Sequence, residues 1–125
     1  MDLRLDQPGE HLFVRAVSER GIRVNDDWFK GPLLISADKL ITEWPVQSFD
    51  QLTAAQLQPI FALQPDVVLI GTGTRQRFLS GALMVAFFNR GIGTETMTTH
   101  AACRTFNILV AEHRRVVAAL LPVTP

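Results

Sequence analysis

The fold of this chain is decided by the stretch Pro65-Asp66-Val67-Val68-Leu69-Ile70-Gly71-Thr72-Gly73-Thr74. Its near-continuous run of Val, Leu and Ile is typical of a strand that is covered on both faces. A glycine-rich loop follows the strand directly, and an apolar segment of helical length follows the loop. Strand, glycine loop and helix in this order form a crevice at the carboxyl edge of an α/β sheet. The stretch therefore predicts the fold class and the place where a site would lie.

Helices and strands alternate after residue 53. The predicted elements are a helix over 54–61, the strand at 66–70, a helix over 78–90 that ends at Gly91, a strand over 92–97, a helix from Thr98 or Thr99 to about Arg114, and a strand over 116–121. Glycine suits the left-handed position that follows many helices, which is why Gly91 is expected to end the second one. Alternation of this kind predicts right-handed crossovers and a mainly parallel sheet.

The amino-terminal part of the chain has the features of antiparallel β-structure. Apolar and β-branched segments at 11–18 and 21–25 flank a short turn that contains Gly21, which predicts a β-hairpin. Residues 33–36 are predicted to form a third short strand, and residues 41–46 are expected to be extended. Since a hairpin cannot belong to a right-handed parallel winding, it is expected to pack as an additional β layer.

Length and composition restrict the classes of protein to which the chain can belong. Its 125 residues suffice for one domain, predicted over 11–125 after a polar segment over 1–10. Twelve basic and twelve acidic residues cancel, so no net field would attract nucleic acid or an anionic membrane. The polar start lacks the apolar core of a secretory signal, and the longest strongly apolar run, 79–88, is about half of what a membrane span needs. A cytoplasmic protein without membrane insertion is expected, and the single Cys103 fits a reducing compartment.

The loop at 71–74 is the first candidate for a ligand site. The glycines of Gly71-Thr72-Gly73-Thr74 would let main-chain amides point into the crevice, where the next helix and Arg77 would favour an anion. A dinucleotide-binding fingerprint would need a third glycine three residues after Gly73, and a P-loop would need Gly-Lys-Ser/Thr, which is absent. A tight strand-to-helix turn that uses glycine for its positive φ is the alternative interpretation.

The predicted helix near the carboxyl terminus has a second candidate surface. At the helical period, one side carries the core stripe Ala102, Cys103, Phe106, Leu109, Val110 and His113. The opposite side carries Arg104, Thr105, Asn107 and Glu112, with Ile108 and Ala111 between them. Small apolar groups mixed with hydrogen-bonding groups are typical of a surface that a partner covers or that lines a pocket. A solvated face on which Arg104 pairs locally is the alternative.

No group of residues predicts catalysis, a metal site or a cofactor. Cys103 lies on the apolar side of its helix without a His or Asp arranged to activate it, so an inert core thiol is expected. His100 and Cys103 together supply too few ligands for a zinc site.

The helix predicted over 78–90 is apolar almost all round. A helix without a polar face must be covered on more than its sheet side. Because only about a hundred residues remain to cover it, an exposed patch is expected, and with it a homodimer or another protein partner. Burial between other elements of the same chain is the alternative interpretation.

These motifs together resemble one small family. The residues that carry the resemblance are Val68-Leu69-Ile70-Gly71-Thr72-Gly73, Arg90-Gly91-Ile92-Gly93-Thr94-Glu95, Ala101-Ala102-Cys103-Arg104-Thr105-Phe106-Asn107-Ile108-Leu109 and Glu112-His113-Arg114. They are similar to the Mth938-like domain family of uncharacterised bacterial and archaeal proteins. Its eukaryotic relatives include a mitochondrial assembly factor for respiratory complex I and an adipogenesis-associated domain protein.

The resemblance implies a fold and a class of function. The fold would be α/β with three layers: a central, largely parallel four-stranded sheet, helices against it, and an amino-terminal antiparallel β-hairpin layer. Members have no established enzymatic activity, so the resemblance favours a protein-interaction or assembly-factor-like domain, while enzymatic activity stays uncertain. Where the family has Glu-Gly-Arg, His113 stands between Glu112 and Arg114, and the turn after the helix is expected to differ in shape.

Two functional hypotheses follow. The first is a non-catalytic interaction domain that self-associates or binds another protein. The second is a small-molecule binding protein, or an enzyme, whose anionic ligand would lie between the loop 71–74 and Arg104, Thr105 and Asn107, with Arg77 or Arg104 holding the anion. The hypotheses differ in whether Arg104 and Asn107 point toward the loop.

Overall fold

The computed structural model describes residues 11–123, so the predicted polar segment 1–10 lies outside the described residues. The strands are β1 (Val14–Ser18), β2 (Gly21–Val24), β3 (Asp27–Phe29), β4 (Leu33–Ile35), β5 (Leu40–Ile41), β6 (Val67–Gly71), β7 (Gly93–Met97) and β8 (Val116–Leu120). The helices are α1 (Gln58–Ala62), α2 (Gly81–Phe88) and α3 (Thr99–Ala111), and two short 3₁₀ helices, Phe49–Gln51 and Ala54–Leu57, precede α1. None of the helices within residues 11–123 combines the length and the apolar character that a membrane crossing requires.

A five-stranded mixed sheet carries the alternating elements, in the order β5–β4–β8–β6–β7. β6 runs parallel to both β7 and β8, whereas β4 runs antiparallel to β8 and to β5. The predicted parallel pairing is confirmed for β6, β7 and β8. The prediction of a largely parallel sheet is wrong for the sheet as a whole, because β4 and β5 join it in antiparallel pairings. The predicted count of four strands is wrong, because the chain turns back after β4 and adds β5 at the edge. Ser36 closes this turn by donating its amide to the Lys39 carbonyl at 2.9 Å.

A separate three-stranded antiparallel sheet, in the order β1–β2–β3, contains the predicted hairpin as β1 and β2. The sequence did not predict β3, which forms by pairing with β2 and places Phe29 opposite Ile22. The hairpin turn brings Gly21 so close to β3 that a Cβ atom on it would lie 2.2 Å from the Phe29 carbonyl oxygen. The φ of Gly21 is also +132°, so glycine is required at this position.

Apolar residues pack against both faces of the five-stranded sheet. On one face, side chains of β4, β6 and β8 pack with α3, β1 and β2, and Phe106 of α3 is fully buried there. On the other face, the alternate side chains of the same strands pack with α1 and α2, which bury Ile60 and Phe87. Ala118 and Ala119 of β8 show the alternation, since each belongs to a different face. Burial on both faces explains the continuous apolar sequence of β6 and β8.

Helix α2 is shorter than the predicted helix over 78–90. It begins at Gly81 because the Ser80 hydroxyl caps it, accepting a hydrogen bond from the Leu83 amide at 3.3 Å. Phe78 therefore lies in the segment before the helix. The predicted left-handed glycine after the helix is confirmed, since Gly91 has a φ of +69°.

The turn after α3 keeps a common helix-ending geometry although it lacks glycine. His113 takes the left-handed conformation, with a φ of +63°. Its amide donates to the Val110 carbonyl at 2.9 Å, and the Arg114 amide donates to the Leu109 carbonyl at 3.0 Å, which is the Schellman pattern. The expectation of a differently shaped turn is therefore wrong. His113, predicted on the core stripe, is exposed because it lies beyond the last helical turn.

Replacing His113 by glycine is expected to raise the free energy of unfolding by about 0.5–1 kcal/mol. The left-handed conformation costs an L-residue roughly 1–2 kcal/mol, and the greater freedom of glycine in the unfolded chain offsets part of the gain, about 0.4–1 kcal/mol. Urea unfolding measures the change. Glu112→Gly is the control, since Glu112 has a φ of −88° and gains nothing from glycine. An unchanged or lower stability of His113→Gly would contradict the assignment of strain to this residue.

Candidate functional site

The carboxyl ends of β6 and β8 and the loop 71–74 border a small cavity, which we call the edge crevice. Its volume is about 190 Å³, and its lining includes Phe49, Thr72, Gly73, Thr74, Arg77 and Leu121. A cavity therefore exists where the sequence places a site. Its volume is below the roughly 300 Å³ at which pockets for small organic ligands begin.

Internal hydrogen bonds use main-chain amides that an anion would need in this loop. The Thr72 amide donates to the Met97 carbonyl at 2.8 Å, and the Gly73 amide donates to the Thr99 hydroxyl at 2.9 Å. Helix α2 begins only at Gly81, so a non-helical segment separates its positive amino end from the loop. The loop 71–74 is hydrogen-bonded to the end of β7 and to the first residue of α3. Its geometry gives the anion hypothesis no support.

Thr99, the first residue of α3, joins three chain segments at this edge. Its fully buried hydroxyl donates to the Leu121 carbonyl at 2.7 Å and accepts from the Gly73 amide. A Cβ atom on Gly71 would lie 2.9 Å from the Thr99 Cα, so glycine allows α3 to approach β6 this closely. The sequence predicted Thr98 or Thr99 as the helix cap, and Thr98 is the cap. The role of Thr99 as a buried hydrogen-bonding centre was not predicted.

Arg77, a residue of the predicted anion site, is paired within the chain. Its guanidinium forms an ion pair with Asp50 and lies 5.2 Å from the centroid of the Phe49 ring. The Arg77 and Asp50 side chains are 39% and 73% exposed, so their pairing adds little to stability. An anion that enters the edge crevice would nevertheless have to compete with the Asp50 carboxylate for Arg77.

Asn107 holds the three-stranded sheet against α3. Its Nδ2 donates to the Val14 carbonyl at 2.8 Å, and its Oδ1 accepts from the Val14 amide at 2.9 Å. The Asn107 side chain thus pairs with the amide and the carbonyl of Val14 at the edge of β1, as the main chain of a neighbouring strand would. Asn107 also lies about 12 Å along the helix from Thr99, at 1.5 Å per residue. Its side chain is therefore engaged with β1 and does not point toward the loop 71–74.

The other predicted residues of α3 do not line the edge crevice either. The Thr105 hydroxyl donates to the Ala101 carbonyl of its own helix at 2.9 Å, and Arg104 and Glu112 are exposed. The structure thus divides the candidate residues between two places. Those at the edge crevice are Thr72, Gly73, Thr74 and Arg77, with Gly71 beneath them in β6; those on α3 are Arg104, Thr105, Asn107 and Glu112.

Cys103 is buried against the core as predicted. Burial raises the pKa of its thiol to about 12, although the neighbouring Arg104 charge lowers it in part. The thiol is therefore protonated at neutral pH and is a poor nucleophile. Within residues 11–123, no cluster of three or more His, Cys, Asp or Glu side chains could hold a metal ion.

The outward side chains of α2 and the segment before it form an exposed apolar surface, which we call the α2 patch. It consists of Phe78, Met84, Val85 and Phe88, whose exposed fractions are 76%, 58%, 53% and 81%. A groove of about 360 Å³ lies along this surface, and its lining includes Leu79, Ile92 and Thr94. The predicted exposed face of this helix is confirmed. Exposed apolar surfaces of this kind mark sites of contact with proteins or ligands.

Comparisons with known proteins identify relatives along most of the chain. The NADH dehydrogenase (ubiquinone) 1 alpha subcomplex assembly factor 3 of Xenopus tropicalis is 32% identical over 115 residues, which are 90% of this chain and 62% of the relative. The chain spans about three fifths of the length of the assembly factors that it matches.

Solved structures show the same fold. A crystal structure of a protein from Bordetella parapertussis matches with a TM-score of 0.86 at 39% identity, covering 93% of this chain and 99% of that chain. A solution structure from Bordetella pertussis, described as a Mth938-like domain, matches with a TM-score of 0.80 at 33% identity, covering 98% and 92%. The profile of the family described as "Protein of unknown function (DUF498/DUF598)" matches residues 14–121, and this chain belongs to that family.

Proposed function

We propose that the protein is a non-catalytic, assembly-factor-like module that binds another protein through the α2 patch. The observation that carries this proposal is the exposure of four large apolar side chains on α2 and in the segment before it, three of which line one groove. The partner is either a second copy of the chain, giving a homodimer, or a different protein. A cytoplasmic location without a cofactor belongs to the same proposal.

Energetics supports binding through this patch. Full burial of one large apolar side chain contributes roughly 1.5–3 kcal/mol, and Phe88 and Phe78 are each more than three-quarters exposed. The inward residues Leu83 and Phe87 are buried, so α2 itself is fixed in place before any partner arrives. The formal net charge of zero adds no general repulsion between copies or toward a partner.

The relatives support the same class of function. Several of them are named as assembly factors of NADH dehydrogenase, which is a role of those proteins in building a protein complex. The anion-binding alternative has no comparable support, because the Thr72 and Gly73 amides are used internally and Arg77 is paired with Asp50.

A photo-crosslinking amino acid at position 88 tests the proposal. In the purified protein or in a lysate of the source organism, we expect it to capture a second copy or one dominant protein. The matched control carries the same amino acid at position 55, because Ala55 is exposed on a 3₁₀ helix and is not a residue of the α2 patch. A protein that is strictly monomeric at high concentration and gives no specific adduct from position 88 would refute the proposed function.

A further inference from the structure

We propose that the bound protein contributes an extended segment that adds antiparallel to β7 as a sixth strand of the sheet. Its apolar side chains would pack on the α2 patch, and a basic side chain between them would face Glu95. This inference rests on the proposed function and specifies the kind of partner: a different protein with alternating apolar and basic residues.

Strand β7 has an edge that can accept another strand. Within residues 11–123, β7 pairs with β6 alone. The Gly93 amide donates to the Asp66 carbonyl, and the Met97 carbonyl accepts from the Thr72 amide. The main-chain groups of Gly93, Glu95 and Met97 therefore face β6, since every second residue of a strand points to the same neighbour. The main-chain groups of Thr94 and Thr96 therefore point to the outer edge. The Thr96 carbonyl accepts a 3.2 Å bond from the exposed Gln76 side chain, which an incoming amide can replace.

The register of β7 assigns each side chain to a face of the sheet. Thr94 is in register with Val68, which packs on the α2 side, and Glu95 is in register with Leu69, which packs on the α3 side. An added strand alternates in the same way. A residue opposite Glu95 would thus face the α3 side, while the residues before and after it would face the α2 patch.

The groove beside this edge suits apolar side chains. Its lining includes Met84, Val85 and Phe88 from α2 and Ile92 and Thr94 from the segment at β7. The Thr94 hydroxyl oxygen is buried and has no hydrogen-bond partner among the described residues. An added strand would pair with the main chain of Thr94 and place its apolar side chains in the groove beside the Thr94 side chain.

The charge of Glu95 distinguishes a foreign strand from a second copy. Glu95 is exposed and forms no ion pair within residues 11–123. Antiparallel pairing of two β7 strands through Thr94 and Thr96 of both copies would place the two Glu95 carboxylates opposite each other, which is unfavourable. A lysine or arginine at that place on a foreign strand is favourable instead. The edge therefore selects a basic partner strand over self-pairing.

Synthetic peptides of alternating valine and lysine provide the probe. In antiparallel pairing, the residues opposite Thr94 and Thr96 are the valines, and their amides face β7, whereas the lysine amides face solvent. N-methylation of the valine amides is expected to weaken binding at least tenfold, because the hydrogen bonds that they donate to the Thr94 and Thr96 carbonyls are lost. N-methylation of the lysine amides is the matched control and is expected to leave the affinity within about twofold. Shifts of the Thr94 and Thr96 amide signals in NMR spectra locate the bound peptide.

A charge reversal gives the second measurement. Glu95→Lys is expected to lower the affinity for the valine–lysine peptide and to raise the affinity for a valine–glutamate peptide. Glu19→Lys on the exposed hairpin turn is the control and is expected to change neither affinity. Absence of peptide binding, or equal losses for both N-methylated peptides, would overturn strand addition. If position 88 still captures a partner in that case, the proposed function stands without this inference; if it captures nothing and the protein is monomeric, the proposed function itself fails.

Discussion

Replacement of Thr99 by valine is expected to lower the free energy of unfolding by about 3 kcal/mol, the largest stability loss that we predict. Valine has nearly the shape of threonine, so the packing of this fully buried side chain is kept. The substitution removes the hydroxyl that donates to the Leu121 carbonyl and accepts from the Gly73 amide. Both main-chain groups are then left buried without these partners, and each such loss costs roughly 1–3 kcal/mol. Urea unfolding followed by circular dichroism measures the change.

Two further variants separate the hydroxyl from other effects. Thr99→Ser keeps the hydroxyl and is expected to lose less than half as much stability. Thr105→Val is the matched control on the same helix, because the Thr105 hydroxyl donates to the Ala101 carbonyl of its own helix and makes only a long, weak contact of 3.6 Å with the Met97 sulfur. Its replacement leaves the helical hydrogen bonds in place and is expected to cost less than about 0.5 kcal/mol. Equal losses for Thr99→Val and Thr105→Val would contradict the role of Thr99 at the edge crevice.

The parts of the fold that the sequence predicts are those with a pattern of their own. β6 is continuous in Val, Leu and Ile, and α3 has a clear apolar stripe, so both are recognisable without their neighbours. β3 and β5 have three and two residues, too few to show a period, and they form only because β2 and β4 lie beside them. This is why the predicted hairpin and the predicted four-stranded sheet each have one strand too few.

The candidate site likewise has one part that the local sequence predicts and another part that depends on distant residues. The α2 patch was predictable, because an all-round apolar helix has more apolar surface than the sheet side can cover. The roles of Thr99 and Asn107 were not, because their partners lie 22 and 93 positions away in the sequence. Asn107 was predicted on a ligand-facing or partner-facing surface because it is polar on a helix. The same polarity instead serves the main chain of β1, and no spacing rule within α3 distinguishes these uses.

Replacement of Asn107 by leucine is expected to lower the free energy of unfolding by about 2 kcal/mol. Leucine has a similar size, but it cannot donate to the Val14 carbonyl or accept from the Val14 amide. Both groups of β1 lie in a partly buried contact with α3, so water compensates only in part for the two lost bonds. Since Asn107 joins the three-stranded sheet to α3, the loss should also be local. Hydrogen exchange is expected to accelerate across β1, β2 and β3 more than in β6 and β8.

Asn89→Leu is the matched control, because Asn89 is exposed at the end of α2 and its change is expected to alter stability by less than about 0.5 kcal/mol. Asn107→Asp separates the two bonds, since a carboxylate still accepts from the Val14 amide but repels the Val14 carbonyl oxygen. It is therefore expected to be destabilising as well. If Asn107→Leu and Asn89→Leu have the same free energy of unfolding and hydrogen exchange in β1 is unchanged, Asn107 does not hold the three-stranded sheet to α3. Its polar side chain would then again be available for a ligand or partner.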